Sequence, residues 1–427
     1  MAQELSQTRS RFFYGYWVLL AGFLSQVVMH GFVGYAFSLY VLPLDNAFGW
    51  SRAVIMTGNL TLSLVVGFVS PLVGRVIYKW GVKWIMTAGA LVMGLGFALL
   101  SLTHSLWQFY LFYAIVGVGS AATGVVPTSM VVANWFKKRR GFAIGILGAG
   151  IGVGGFVVPR LLSNYIFPNF GWCRAYLVSG IISVAIIIPL SLWLIRPRPE
   201  DMGLLPDNGK VEEDKYRRTS DAPQLGIKLD QALKTASFWL MVVAFTAFGF
   251  ANGHTFQNQV PYLEDIGFPL IEAAAALQAV GIGSAIGKLG FGWLCDYIPP
   301  KYTLIIGSAL QASATLILMS ITNSSSLLLL WMYGILMGLG IGSWLPALSM
   351  TTSVTFGLID YGVIFGIYNM LFMGIGAVSP VVGGYIFDTT GSYHLAFFLC
   401  LAFYAIAVLS MLLVRRPKLN KMIGNQN

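Results

Sequence analysis

Twelve long apolar segments dominate this sequence of 427 residues. Hydrophobic residues make up 57% of the chain and charged residues only 10%, whereas a soluble domain carries about 25% charged residues to keep its surface in water. A helix needs about 20 apolar residues to cross a bilayer, and backbone groups in lipid must pair within helices or closed barrels. The sequence therefore predicts an all-α membrane protein with twelve spans at residues 13–41, 52–73, 83–103, 106–132, 142–167, 173–195, 236–260, 269–293, 302–321, 325–350, 361–387 and 393–414.

The net charge of +10 follows the predicted topology. With the N-terminus placed in the cytoplasm, 22 of the 26 Lys and Arg residues fall on the cytoplasmic side. Arg52 and Arg174 fall outside, and Arg160 and Lys288 fall within spans. This distribution obeys the positive-inside rule. We therefore expect both termini in the cytoplasm and no nucleic-acid partner.

The sequence shows no signature of catalysis. Cys173, Cys295 and Cys400 lie far apart and match no metal or redox spacing, and no aqueous segment carries a catalytic triad, a metal cluster or a phosphate loop. The glycine-rich stretch at 145–155 follows no strand, so a nucleotide site is not indicated, and its small residues are typical of close helix packing. We expect neither an enzyme nor a cofactor. The first apolar run is too long for a signal peptide, so it is interpreted as span 1.

A polar segment divides the chain into two halves. The predicted units are an N-terminal six-helix bundle at 1–195, a cytoplasmic linker at 196–235 and a C-terminal six-helix bundle at 236–427. Three landmarks recur at offsets of 218, 219 and 221 residues, each at the same place in its half. The pairs are Gly74 and Gly292, Pro127 and Pro346, and Pro159 and Pro380. The halves are therefore predicted to be parallel repeats.

Parallel six-helix repeats with a central substrate site are the architecture of the major facilitator superfamily, which this chain resembles. The loop motif that the superfamily has after span 2 is partly present in this chain, with Tyr78 and Lys79 where Asp and Arg are usual. The second copy, after span 8, keeps Asp296. In that family such an Asp can bond a neighbouring helix end and hold one conformation closed. The resemblance therefore implies a gating role for Asp296.

A second motif is more specific. The stretch WFKKRRGFAIG at 135–145, followed by Ala149 and Gly150, resembles the signature of the monocarboxylate transporters. FGWSR at 48–52 and RPEDMGLLP at 198–206 are similar to bacterial members of the monocarboxylate and oxalate:formate antiporter group. The resemblance implies a multi-pass transporter of the cell inner (cytoplasmic) membrane.

The same resemblance implies a substrate site on span 8. In the monocarboxylate group an Arg of this span, preceded four residues earlier by Asp, binds the substrate carboxylate. Alignment on Gly292 and Trp293 places Lys288 at the Arg and Ser284 at the Asp. Positions i and i+4 share a helix face, so both side chains would point into the cavity. The alternative is that Lys288 extends to the cytoplasmic headgroups.

Other polar side chains of the spans are weaker candidates. His30 and His254, together with Lys288 itself, could carry the coupled proton, although each His could instead be neutral and bonded to a helix neighbour. Arg160 could act in an outer gate or anchor span 5 at the interface. The residues that could complete the cavity, or serve only in packing, are Tyr113, Trp344, Tyr368 and Asn369.

The cations available in the spans favour a monoanion. No Lys or Arg occurs in span 11, where the related oxalate carriers place a second cation, and Leu39 aligns with a Lys of animal monocarboxylate carriers. We therefore expect a monomeric, proton-coupled symporter of a small monocarboxylate such as lactate or pyruvate, working by alternating access. The alternatives are a carrier of another organic anion or aromatic compound, by antiport or efflux, and a membrane receptor that does not transport.

Overall fold

The computed structural model describes residues 13–136, 140–208, 226–295, 297–322, 326–357 and 359–416. Asp296, most of the linker and residues 137–139 of the signature lie outside these ranges, and the side chain of Tyr78 is likewise not described. Eleven helical stretches in the described part are long and apolar enough to cross a membrane. One of them, Ala143–Leu194, has 52 residues and contains two spans joined at Gly171, whose φ of 71° turns the chain. The twelve-span all-α prediction is thereby confirmed.

The spans keep their predicted order. We number them as before: span 1 is Gly15–Phe48, span 2 Arg52–Trp80, span 3 Val82–Leu100, span 4 Leu106–Thr123 with Val125–Trp135, span 5 Arg140–Leu161 with Leu162–Ile166, span 6 Phe167–Pro189 with Leu190–Leu194, span 7 Ala236–Asp265, span 8 Leu270–Leu294, span 9 Lys301–Ser320, span 10 Leu327–Gly342 with Trp344–Phe356, span 11 Tyr361–Thr390 and span 12 His394–Leu413.

The repeat landmarks correspond to matching breaks in spans 4 and 10. Span 4 is interrupted at Gly124 and span 10 at Ser343. Pro127 and Pro346 each stand third in the helix that follows. Proline is tolerated there because the N–H groups of a first helical turn have no partner within the helix. The shared break supports the two six-helix repeats that were predicted.

The two bundles meet through close backbone contacts. Gly152 of span 5 faces Gly281 of span 8 so closely that a Cβ atom on either would strike the other's carbonyl oxygen. On one side of this contact, Tyr35 of span 1 packs edge-on against Phe256 of span 7, with 4.9 Å between ring centroids. We call the end that carries the loops after spans 1, 7 and 11 the outer end, following the charge rule.

At the outer end, spans 2 and 11 are also in contact. A Cβ atom on Gly384 of span 11 would meet the backbone nitrogen of Ala53 at 2.7 Å. The contacts of span 5 with span 8, span 1 with span 7 and span 2 with span 11 therefore hold the two halves together.

We expect Gly281→Ala to destabilise the protein, because the added methyl group would collide with the backbone of span 5 and force the bundles apart. Overpacking of this kind costs about 1–3 kcal/mol, so the Tm of the purified protein in detergent should fall. Gly290→Ala is the matched control, since nothing lies within 4 Å of its added methyl group. Equal Tm values for the two variants would contradict this account of the interface.

Candidate functional site

Lys288 directs its amine towards the middle of the membrane. Its Nζ donates a hydrogen bond of 3.0 Å to Oγ of Ser284, one turn earlier in span 8. Span 8 runs from the outer end to Leu294, so Ser284 lies about 15 Å along the helix from the cytoplasmic end. Ser284 is fully buried and Lys288 is half-buried. The side chain therefore points away from the cytoplasmic headgroups rather than towards them.

The Lys288 side chain also lies against the opposite bundle. A Cβ atom added to Gly148 of span 5 would contact its Cδ at 3.4 Å. An alanine at position 148 would touch the lysine stem, and a larger side chain would compete with it for space. Lys288 thus lies between the two bundles, on the cytoplasmic side of the contact between Gly152 and Gly281.

Span 1 supplies two more polar groups to this region. The imidazole of His30 and the amine of Lys288 are close enough to interact electrostatically. The hydroxyl of Tyr35 lies close to Ser284. The residues between them, His30–Tyr35, form a π-helical turn, a local widening that is frequent at functional sites. Lys288, Ser284, His30 and Tyr35 therefore form one polar cluster, which we call the central cluster.

Glycine makes room for the tyrosine as well as for the lysine. A Cβ atom on Gly155 of span 5 would collide with the Tyr35 ring. The run of glycines in span 5 therefore has two uses: it lets the bundles approach, and it makes room for the long side chains of the central cluster.

Trp344 follows a point at which the backbone of span 10 contacts span 8. Gly342, two residues earlier, approaches the backbone nitrogen of Lys288 so closely that a side chain there would collide with span 8. The Trp344 ring stacks on Phe372 of span 11, with 4.7 Å between centroids and an angle of 13°. Trp344 and Asn369 of span 11 are both partly exposed.

Two predicted cavity tyrosines lie inside single bundles. Tyr113 is buried in the N-terminal bundle, where its hydroxyl shares a 2.8 Å hydrogen bond with the hydroxyl of Tyr176. Tyr368 is buried in the C-terminal bundle and donates to the carbonyl oxygen of Phe238 at 3.3 Å. This placement corresponds to the packing alternative for both residues.

His254 and Arg160 are also placed outside the central cluster. His254 is buried within the C-terminal bundle, where its Nδ1 lies 3.1 Å from Nδ2 of Asn258 and its ring packs against Phe397. This corresponds to the alternative of a His bonded to a helix neighbour. Arg160 is exposed near the outer end of span 5, beside the π-helical turn Leu162–Ile166.

Two residues in key contacts were not among the sequence candidates. Tyr35 carries no charge that would distinguish it from the other aromatic residues of span 1, and its position near Ser284 depends on how spans 1 and 8 pack. Arg52 was counted only as an exception to the charge rule, yet it is 5% exposed and pairs with Asp265 of the other bundle. A cation on the outer side, at the first residue of span 2, is the sequence signal that could have identified it.

The sequence profile of the Major Facilitator Superfamily matches residues 22–380. The chain belongs to this superfamily. It is 25% identical over 402 residues to an uncharacterized MFS-type transporter, YcxA, of Bacillus subtilis (strain 168), covering 92% of this chain and 93% of that protein. It is 23% identical to monocarboxylate transporter 13 of Rattus norvegicus, covering 91% and 86% of the two chains. The family and these relatives identify a membrane transporter rather than an enzyme.

Solved structures show the same fold. A bacterial homolog to the human lysosomal transporter Spinster, in an inward-facing and occupied conformation, aligns with a TM-score of 0.70 over 96% of this chain and 99% of that chain, at 17% identity. The inward-facing and unoccupied form of such a homolog aligns with a TM-score of 0.65. At this identity the likeness concerns the fold alone.

The placement of the tyrosines predicts different effects of removing their hydroxyl groups. Tyr113→Phe should lower stability by about 1–3 kcal/mol, because the Tyr176 hydroxyl loses its partner inside the bundle, and should leave the KM of transport unchanged. Tyr35→Phe should raise KM, because its hydroxyl belongs to the central cluster. Thermal unfolding and substrate-dependent uptake measure the two effects, and a raised KM in Tyr113→Phe alone would contradict the assignment.

Proposed function

We propose that this transporter carries a small monocarboxylate across the cell inner membrane together with a proton, by alternating access between two bundles at 1–195 and 236–427. The observation that carries the proposal is the amine of Lys288, which lies between the bundles and points to the membrane interior with Ser284 as its hydrogen-bond partner. A cation in this position is costly unless an anion accompanies it. A substrate carboxylate would supply that anion.

The charge of the central cluster favours one carboxylate over two. Span 11 contains no Lys or Arg at 362–387, and Lys288 is the single one in span 8. These two spans therefore provide one positive charge. A dianion would bring one negative charge without a partner into a desolvated site, and an unpaired buried charge is strongly unfavourable. A lactate-like or pyruvate-like acid therefore suits the cluster better than oxalate.

The neighbouring hydroxyl groups can orient the acid. The ammonium of Lys288 has three N–H donors, of which one is used by Ser284. A carboxylate at Nζ would lie beside the hydroxyl groups of Ser284 and Tyr35, which can donate to its second oxygen or to an oxygen on the adjacent carbon. Because Lys provides a point charge and not a planar fork, these hydroxyl groups would determine the orientation of the substrate.

His30 is the proton carrier that the geometry supports best. Its imidazole lies close to the amine of Lys288, and two positive charges at such positions are unfavourable. A bound carboxylate would neutralise Lys288 and remove that opposition. Anion binding and proton binding would then favour each other, and by thermodynamic linkage each would strengthen the other by the same factor. This reciprocity is the basis of symport.

Contacts between the bundles at the outer end are consistent with a state open towards the cytoplasm. From this state the bundles would rock about the contact between Gly152 and Gly281 to expose the central cluster to the other side. Because the central cluster is built from residues of one chain, we expect one chain to suffice for transport. The charge rule places both termini in the cytoplasm.

Uptake of labelled lactate into proteoliposomes tests the substrate. Lys288→Ala should lower uptake by about 30-fold or more, because it removes one partner of a buried charge pair. Lys234→Ala is the matched control, since Lys234 is exposed just before span 7. Normal uptake by Lys288→Ala, or no uptake by the unchanged protein, would contradict the proposal.

An aromatic acid is the second candidate substrate, because the rings of Trp344 and Phe372 stack on each other two residues after the point where Gly342 contacts span 8. Competition by unlabelled acids in the same assay separates the two. Stronger inhibition of uptake by benzoate than by pyruvate would favour the aromatic acid.

The proton pathway has its own test. His30→Gln should retain exchange of labelled for unlabelled lactate, which needs no net proton movement, but should lose the accumulation that an inward proton gradient drives. His254→Gln is the control, since His254 lies inside the C-terminal bundle. Full gradient-driven accumulation by His30→Gln would show that another group carries the proton.

A further inference from the structure

The outer end of the molecule holds an ion pair between the two bundles, in which the arginine is buried and the aspartate is partly exposed. Arg52, the first residue of span 2, has a side chain that is 6% exposed. Its two terminal nitrogens pair with both carboxylate oxygens of Asp265, the last residue of span 7, at 2.5 and 2.6 Å. Bidentate pairing of this kind is the strongest geometry that an Arg and a carboxylate can adopt.

A second carboxylate from the C-terminal bundle holds the backbone of the same helix end. Asp388 of span 11 accepts hydrogen bonds of 3.0 Å from the backbone N–H groups of Arg52 and Ala53. These N–H groups belong to the first turn of span 2 and have no acceptor within the helix. The positive end of the helix dipole also favours a carboxylate there. Asp388 therefore caps span 2 from across the interface.

Aromatic rings of the C-terminal bundle complete the enclosure of Arg52. Its guanidinium carbon lies 4.1 Å from the centroid of the Phe387 ring, which is cation–π distance. Its Nη1 also donates to the hydroxyl of Tyr393 at 3.3 Å. The guanidinium thus belongs to the N-terminal bundle. All of these contacts are with the C-terminal bundle: spans 7 and 11, and Tyr393 at the start of span 12.

Arg52 also has an acidic neighbour on its own bundle. Asp45, near the end of span 1, places a carboxylate oxygen 3.7 Å from Nε of Arg52, and its side chain is 38% exposed. When the bundles separate, Asp265 and Asp388 move away with the C-terminal bundle, whereas Asp45 stays with Arg52. The guanidinium therefore keeps a counter-ion in the open state, and water can solvate both groups.

We propose that Arg52 is the latch of an outer gate: its pairing with Asp265, together with the cap from Asp388, closes the outer end, and both contacts break when the carrier opens outwards. Removal of the Asp265 charge takes the bidentate partner from a buried guanidinium, and removal of the Arg52 charge leaves the Asp45 and Asp265 carboxylates facing each other across the closed interface. Such a variant shifts the population towards the outward-open state. The inference depends on the two-bundle fold and not on the identity of the substrate.

Labelling of a single cysteine from outside tests the latch. The reporter is Gln257→Cys, in a background with Ser at the three native cysteine positions. Gln257 is 7% exposed, donates to the carbonyl oxygen of Gly34 across the interface, and lies about 12 Å along span 7 from Asp265. A membrane-impermeant maleimide applied to spheroplasts reaches this position only when the outer end is open. The assay requires no substrate.

We expect the reporter alone to be labelled slowly. Arg52→Gln or Asp265→Asn should raise its labelling rate about tenfold or more, because loss of the pair between Arg52 and Asp265 destabilises the closed state. Arg174→Gln and Glu272→Gln are the matched controls. Both residues are exposed on the outer side. The described cation–π contact of Arg174 is with Phe170, in its own bundle. The controls should label like the reporter alone.

A charge swap separates the ion pair from general loosening of the interface. Arg52→Asp combined with Asp265→Arg should bring labelling back towards the slow rate. Unchanged labelling in the single variants, equal acceleration in the controls, or a swap that labels like the single variants would each overturn the proposal. Size-exclusion profiles identify variants that do not fold, and for these Arg52→Lys is used instead. It keeps the charge but loses the bidentate pairing, so its labelling should be intermediate.

Discussion

The close contact between spans 5 and 8 is the constraint on which the rest of this structure depends. Gly152 and Gly281 bring two helix backbones together where any side chain would separate them. In lipid, helices gain little from burying apolar surface, so association relies on packing at such short range. The same approach places Lys288 against Gly148 and thereby between the bundles. Bundle packing and the position of the central cluster therefore have one cause.

The two cations Arg52 and Lys288 differ in their partners. Arg52 pairs with Asp265 inside the protein, whereas Lys288 has a hydroxyl as its hydrogen-bond partner. Because unpaired charge is unfavourable in both places, the proposed functions assign the first cation to closure of the outer end and the second to an external anion. A carrier needs both properties if it is to move its substrate between closed and open states.

The spans and their order followed from the sequence because apolar segments of about 20 residues are the length that a helix needs to cross lipid, and the repeat followed from landmarks at nearly equal offsets. The repeat landmarks also identified the breaks in spans 4 and 10, since a proline marks the first turn of each second helix. Spans 5 and 6 were predicted as separate helices, and the non-helical backbone of Gly171, with a φ of 71°, separates them in the structure.

Few of the side-chain contacts could be predicted from the sequence alone. Spacing alone was enough to bring Ser284 and Lys288 together, because residues four apart share a helix face whatever the fold. Spacing could not show that Tyr113 and Tyr368 turn into their own bundles, that Tyr35 reaches Ser284, or that Arg52 meets Asp265, 213 residues away. The sequence by itself determined the helices, the topology and the charge of span 8. Only tertiary packing decided which polar groups face each other, since contacts between distant helices depend on their rotation and depth, which hydrophobicity does not encode.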